Sequence, residues 1–157
     1  MKIKRKESTL FINVTPSAAA SYELIGSDLE ELVNALNMNV DSATNILGES
    51  KITITSGNKQ ASVDPYLADS EDGLFTLLEG FIDNNSELDD LKTDVVRVKA
   101  WETPTEGAYP AVKEECYIEI VSYGGGTDGY QIPYNIHYTG ETTAGTFNPT
   151  TGTFTAS

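Results

Sequence analysis

The chain has one histidine, His137, and one cysteine, Cys116. A thiol nucleophile needs a base within hydrogen-bond reach, so this pair is the first to test for catalysis. The two lie on successive alternating segments, 115–123 and 130–138. In an antiparallel hairpin, facing residues have a constant number sum and share a face. Facing 116 with 137 needs an odd sum, which sets Ile118 against Asn135 and mixes apolar with polar side chains. An even sum sets Cys116, Ile118 and Ile120 beside Ile132, Tyr134 and Ile136. Burial selects the even register, because a slip of one residue moves every apolar side chain to the other face. No catalytic dyad is therefore expected.

The 24 acidic residues offer no better site. Glu30-Glu31, Asp89-Asp90 and Glu114-Glu115 are adjacent pairs that point apart in a strand. Glycoside hydrolysis needs two converging carboxyls, and the sequence singles out no two. Asp83, Asn84, Asn85 and Glu87 lack the spacing of an EF-hand loop. Gly124-Gly125-Gly126 is not followed by the Gly-Lys-Ser/Thr and helix start of a phosphate loop. A lone cysteine excludes an internal disulfide and any multi-cysteine metal site. The expectation is a protein that is not an enzyme, with no catalytic, cofactor-binding or metal-ligating residue and no cofactor.

The elements that would position any site are mostly strands. Leu10, Ile12 and Val14 alternate on one face. Lys51 to Thr55 alternates, turns at Ser56-Gly57-Asn58, and continues as an extended run from Gln60 to Val63. Val96, Val98 and Ala100 share a face in 95–101, and Tyr130, Ile132, Tyr134, Ile136 and Tyr138 form the most regular alternating face. Such an aromatic face reads as sheet packing. Pro133 has no N–H, so it marks a sheet edge or a break. Thr146-Phe147 and Gly152 to Phe154 read as a short hairpin. The clearest helix is 69–83. Its Leu74, Leu77, Leu78, Phe81 and Ile82 make one apolar stripe, Asp69 or Ser70 can cap it, and Glu71 and Asp72 suit the positive end of the helix dipole. Gly73 and Gly80 each weaken it by ~1 kcal/mol, so packing on a sheet must hold it. Over 28–37, Leu29, Leu32, Val33 and Leu36 sit at helical spacing, and periodicity alone reads a helix. Residues 37–50 read as a polar, irregular loop with Val40, Ile46 and Leu47 as its only large apolar residues. A loop of that length is usually functional or disordered.

A chain of 157 residues is long enough for one domain with a proper core. Its hydrophobic content of 39% is low, which with many Gly, Thr and Asn suits a β-rich fold. No apolar run approaches the ~20 residues of a membrane span. The basic start, Met1 to Lys6, lacks the apolar stretch of a signal peptide, so a cytoplasmic product is expected. Charge is uneven. Lys2, Lys4, Arg5 and Lys6 hold four of the ten basic residues, which leaves six against 24 acids, a net −18, over 7–157. Such a body repels nucleic acid, and residues 1–7 read as a flexible basic arm.

Several phrases carry a family resemblance. They are YELIGSDLEEL (22–32), NILGES (45–50), SVDPYLAD (62–69), LFTLLEGFID (74–83), SYGG (122–125), QIPYNI (131–136) and GTFNPTTGTFT (145–155). Their order resembles the major tail protein, or tail tube protein, of long-tailed bacteriophages and related prophages, over nearly the whole chain. Met38 stands where that family would have proline in Leu36-Asn37-Met38-Asn39. The resemblance implies a single tail-tube domain over 1–157: a mainly β, two-sheet antiparallel sandwich or barrel-like fold with one flanking helix and a long hairpin loop. It argues for a strand rather than a helix over 28–37. It further implies a structural virion protein, made in the host bacterial cytoplasm and housed in the virion tail. Its partners would be further copies of itself in stacked hexameric rings and other phage tail proteins, with DNA only in passage through the lumen. Val40, Ile46 and Leu47 would then contact a neighbouring subunit. The reading from another class is a carbohydrate-binding β-sandwich module with Trp101, Tyr109 or Tyr130 as sugar platforms.

Overall fold

The computed structural model describes all residues, 1–157. In chain order the elements are β1 (Ser8–Asn13), β2 (Tyr22–Ile25), β3 (Asn34–Ala35), β4 (Asn39–Thr44), β5 (Ser50–Thr55), β6 (Gln60–Val63), α1 (Gly73–Asp83), β7 (Lys92–Lys99), β8 (Tyr109–Ile120), β9 (Tyr134–Asn148) and β10 (Thr153–Ala156). Eight strands form one antiparallel sheet in the order β2-β1-β7-β8-β9-β6-β3, with β10 paired to the far end of β9. This sheet curls into a half-barrel, and β4 with β5 makes a second, two-stranded sheet. The mainly β, two-sheet architecture with one flanking helix and a long hairpin is the one expected from the sequence.

Strand alternation sorts the side chains onto two faces. Cys116 and Ile118 of β8 enter the main core with Ile12, Val95, Tyr134 and Ile136. Leu74, Leu78 and Phe81 of α1 close over the same face, so the stripe read from the sequence does pack on the sheet. On the opposite face, Val96, Val98, Ala111 and Phe147 form a second cluster, flanked by Phe11, Tyr22, Tyr109 and Phe154. β7 therefore buries both of its faces, Val95 in the main core and Val96 and Val98 behind it. Pro133 lies one residue before β9, where its missing N–H breaks no ladder. The expected terminal hairpin is present, with Phe147 opposite Phe154.

Three expectations are corrected. The helix begins at Gly73, not Asp69. Residues 69–72 form a separate turn, closed by Asp72 N–H donating to the Asp69 carbonyl (2.9 Å). Neither Asp69 nor Ser70 caps α1. Its first free N–H groups, those of Gly73 and Leu74, donate to the Glu23 carboxylate of β2 at 2.8 and 3.1 Å. A Cβ at residue 73 would sit 2.6 Å from Glu23 Oε1, so the glycine that weakens the isolated helix admits its distant cap. Over 28–37 the chain is neither a helix nor a full strand. Only Asn34 and Ala35 pair, with Ala61 and Gln60, while Leu29 and Leu32 tuck against the core. Their helical spacing arises because an irregular segment drops two leucines into one groove.

The basic arm read as flexible over 1–7 is tied down from Lys4 on. Arg5–Glu7 form a 3-10 turn. The Lys4 N–H donates to Glu7 (2.7 Å) and the Arg5 guanidinium to the Leu32 carbonyl (3.0 Å). No helix is long and apolar enough to cross a membrane.

Candidate assembly interface

The segment expected as an irregular loop over 37–50 is half of a regular hairpin. β4 and β5 pair in strict register from Asn39 opposite Thr55 to Thr44 opposite Ser50. Facing residues share a face, so Val40 and Ile54 lie together, with Ile52 on the same side opposite Ser42. The other side carries Asn39, Asp41, Thr53 and Lys51. The hairpin is amphipathic, yet all six residues of each strand are exposed. Val40 is 63%, Ile52 66% and Ile54 57% exposed, so nothing in the chain covers the apolar side.

The tip is a built turn. Asn45 Oδ1 accepts the N–H groups of Leu47 (2.9 Å) and Glu49 (3.0 Å), and the Asn45 N–H donates to the Glu49 carbonyl (3.0 Å). A side-chain acceptor of this kind fixes a turn locally. It holds Ile46 and Leu47 outward, at 102% and 76% exposure. The base is fixed as firmly. The amide groups of Asn37 and Asn39 donate across to the Asn58 and Ser56 carbonyls (2.8 and 3.1 Å). Gly57 is obligatory there, since any Cβ would collide with the Asn37 carbonyl.

Below the base, Lys59 locks the hairpin to the body. Its ammonium donates to Glu114 Oε1 (2.7 Å) and lies 4.6 Å over the Tyr138 ring. The Tyr138 hydroxyl in turn donates to Asn34 (2.8 Å), on the other arm of the connection. Both chain segments entering the hairpin thus meet at one aromatic ring. The result is a stiffly mounted arm with an uncovered apolar face.

The other candidate residues are dispersed. Cys116 lies opposite Tyr138, and His137 lies opposite Tyr117, the even-sum register. Burial pushes the Cys116 thiol well above its ordinary range. His137 instead contacts Glu119 at 2.8 Å, and hydrogen bonds from His137 and Asn135 hold the Glu119 carboxyl below its usual range. Tyr109 packs on the second cluster, Tyr130 stands edge-on to Phe75, and Trp101 sits in the turn after β7, so no aromatic platform gathers. No three His, Cys, Asp or Glu side chains converge as a metal site. Of the three residues expected at an interface, Val40 stands in β4 while Ile46 and Leu47 crown the tip. Ile52 and Ile54, which share the face of Val40, were visible as a strand, but their partners were not. No protein-family model matches the chain, and no curated protein matches it.

Proposed function

We propose that the chain is a tail tube subunit, which forms six-membered rings that stack into a hollow conduit for DNA. The observation that carries this reading is the hairpin of β4 and β5. A two-stranded hairpin is marginal in water on its own, and a large uncovered apolar patch marks an interaction site. Val40, Ile46, Leu47, Ile52 and Ile54 are the surface that a neighbouring subunit would cover. The ordered phrases that resemble those of the tail tube family support the same reading. The work is mechanical, the subunit resides in the virion tail after synthesis in the host cytoplasm, and other tail proteins meet the tube at its ends.

The charge distribution fits passage rather than binding. DNA carries about one negative charge per ~1.7 Å of duplex, and a basic lumen would hold it at many phosphates. A net −18 over 7–157, repeated six times per ring, opposes such a lumen. Electron microscopy of the purified protein tests the proposal. Rings or tubes of uniform diameter are the expected result. A persistent monomer that binds a glycan would overturn it in favour of the carbohydrate-binding module.

A further inference from the structure

One cavity of the body joins three carboxylates to a buried hydroxyl. It holds about 250 Å³ and lies between β2, the turn after it, and the connection from β6 to α1. Val63, Tyr66, Leu74 and Tyr134 line its buried floor, and Glu23, Asp28 and Asp72 its polar wall. Each carboxylate is partly used within the chain. Glu23 accepts the Gly73 and Leu74 N–H groups, one on each oxygen. Asp72 Oδ2 accepts the Tyr66 hydroxyl (3.1 Å), and Asp28 Oδ2 the Leu67 N–H (3.3 Å). The second oxygens of Asp28 and Asp72 accept nothing from the chain. No lysine, arginine or histidine lines the cavity, and none of the three acids forms an ion pair. Burial, followed by the charges of Asp72, Glu23 and Asp28, pushes the Tyr66 hydroxyl well above its ordinary range. Three negative groups thus act on one small space with no cation among them.

Tyr134 adds an independent sign. It is 0% exposed, and its hydroxyl has no hydrogen-bond partner. A buried hydroxyl left without a partner costs free energy. Its place on the wall of a cavity calls for a ligand that reaches it.

The acceptors select the ligand. Carboxylates and a free hydroxyl call for N–H donors that carry positive charge. No three acidic groups converge as a metal site, so a point charge fits poorly. A guanidinium spreads five N–H donors over a plane and can serve separated acceptors. Its alkyl stem would lie against Leu29 and Pro65. At about 250 Å³ the space is smaller than the ~300–1,000 Å³ of a drug-sized pocket and suits a group of side-chain size.

We propose that this cavity binds a guanidinium on an alkyl stem, with Asp28, Asp72 and the Tyr134 hydroxyl as its acceptors. The site lies within one subunit and goes beyond the tube reading.

Calorimetric titration of the full chain with n-propylguanidinium tests it. Saturable binding is the expected result. The n-propyltrimethylammonium ion has the same charge and stem but no N–H, and should not bind. Tyr134→Phe should weaken binding at least ~10-fold, as should Asp28→Asn combined with Asp72→Asn. Tyr134→Phe should also leave the denaturant midpoint of the free protein unchanged or raised, because the hydroxyl it removes is unsatisfied. That measurement separates lost binding from lost folding. No saturable binding below ~10 mM overturns the proposal, as does equal binding of the trimethyl analogue or by the Tyr134→Phe protein. A lowered midpoint with unchanged titration also overturns it and assigns the hydroxyl to a bound water. Sedimentation distinguishes two sources of the cation. If it arrives on an arginine of a second copy, the probe should break up oligomers. If it is a free small molecule, the probe should leave sedimentation unchanged. The two readings fail separately. Tubes from a protein that ignores the probe keep the tube and sink the site. Binding by a persistent monomer does the opposite.

Discussion

The half-barrel and the hairpin use the same strand pattern to opposite ends. In the body, each apolar face is covered by the chain itself: α1 closes over one side, and Phe11, Tyr22, Tyr109 and Phe154 flank the other. In β4 and β5 the apolar face is as regular and is left open. Alternation therefore predicts burial but does not say by which chain. The hairpin's structure is set locally, by Asn45 at the tip and by Asn37, Asn39 and Gly57 at the base. Its tip and base are fixed by these local contacts and the Lys59–Glu114 pair ties it to the body, so its apolar residues stay uncovered.

The contrast can be broken most severely from the body side. Phe81→Ala empties a site that is 8% exposed, beneath the helix stripe, and should cost ~3–5 kcal/mol in denaturant unfolding. An unchanged midpoint would mean that α1 does not hold the sheet. Between the two regions stands Lys59. Lys59→Met strands the buried Glu114 carboxylate, whose second oxygen already lacks a partner, and should cost ~2–3 kcal/mol. The loss should be largely recovered by adding Glu114→Gln, since the stranded charge is then gone. A double variant no more stable than the single one would show that Lys59 acts by packing on Tyr138 alone. The smallest effect on folding belongs to the hairpin. Replacing Val40, Ile46 and Leu47 together by serine should move stability by no more than ~0.5 kcal/mol while abolishing assembly. Loss of the native circular dichroism signal in that variant would place these residues in the subunit's own core and erase the distinction between the regions.

What could be read from the sequence divides along the same line. The stripe of α1 and the faces of β8 and β9 were legible because helix and strand periods are local properties. The start of α1 was not, because the acceptor for its first N–H groups is Glu23, some 50 residues away. β4 was hidden for another reason. One side, Asn39, Asp41 and Ala43, is polar or small, and Val40 is the strand's only large apolar residue. Only the register with Ile52 and Ile54 reveals the face. At 28–37, Leu29 and Leu32 obey helical spacing without a helix, since burying two leucines requires a groove and not a particular backbone. Ile46 and Leu47 were legible as candidates because large apolar residues in a polar stretch have no local explanation.

The pairing of β1 with β7 also has a consequence in time. Their partners, such as Ile12 and Val95, are separated by about 85 residues. At a synthesis rate of ~5–20 residues per second, β7 leaves the ribosome some ~4–17 s after β1. The hairpin joins strands only a few residues apart, and such hairpins close in ~1–10 μs. The hairpin can therefore close before the sheet that carries it exists, although alone it is only marginally stable. A nascent chain would display the hairpin's apolar face only intermittently during those seconds. The hairpin's lasting shape must wait until the body has closed and the Lys59–Glu114 pair ties its base to β8.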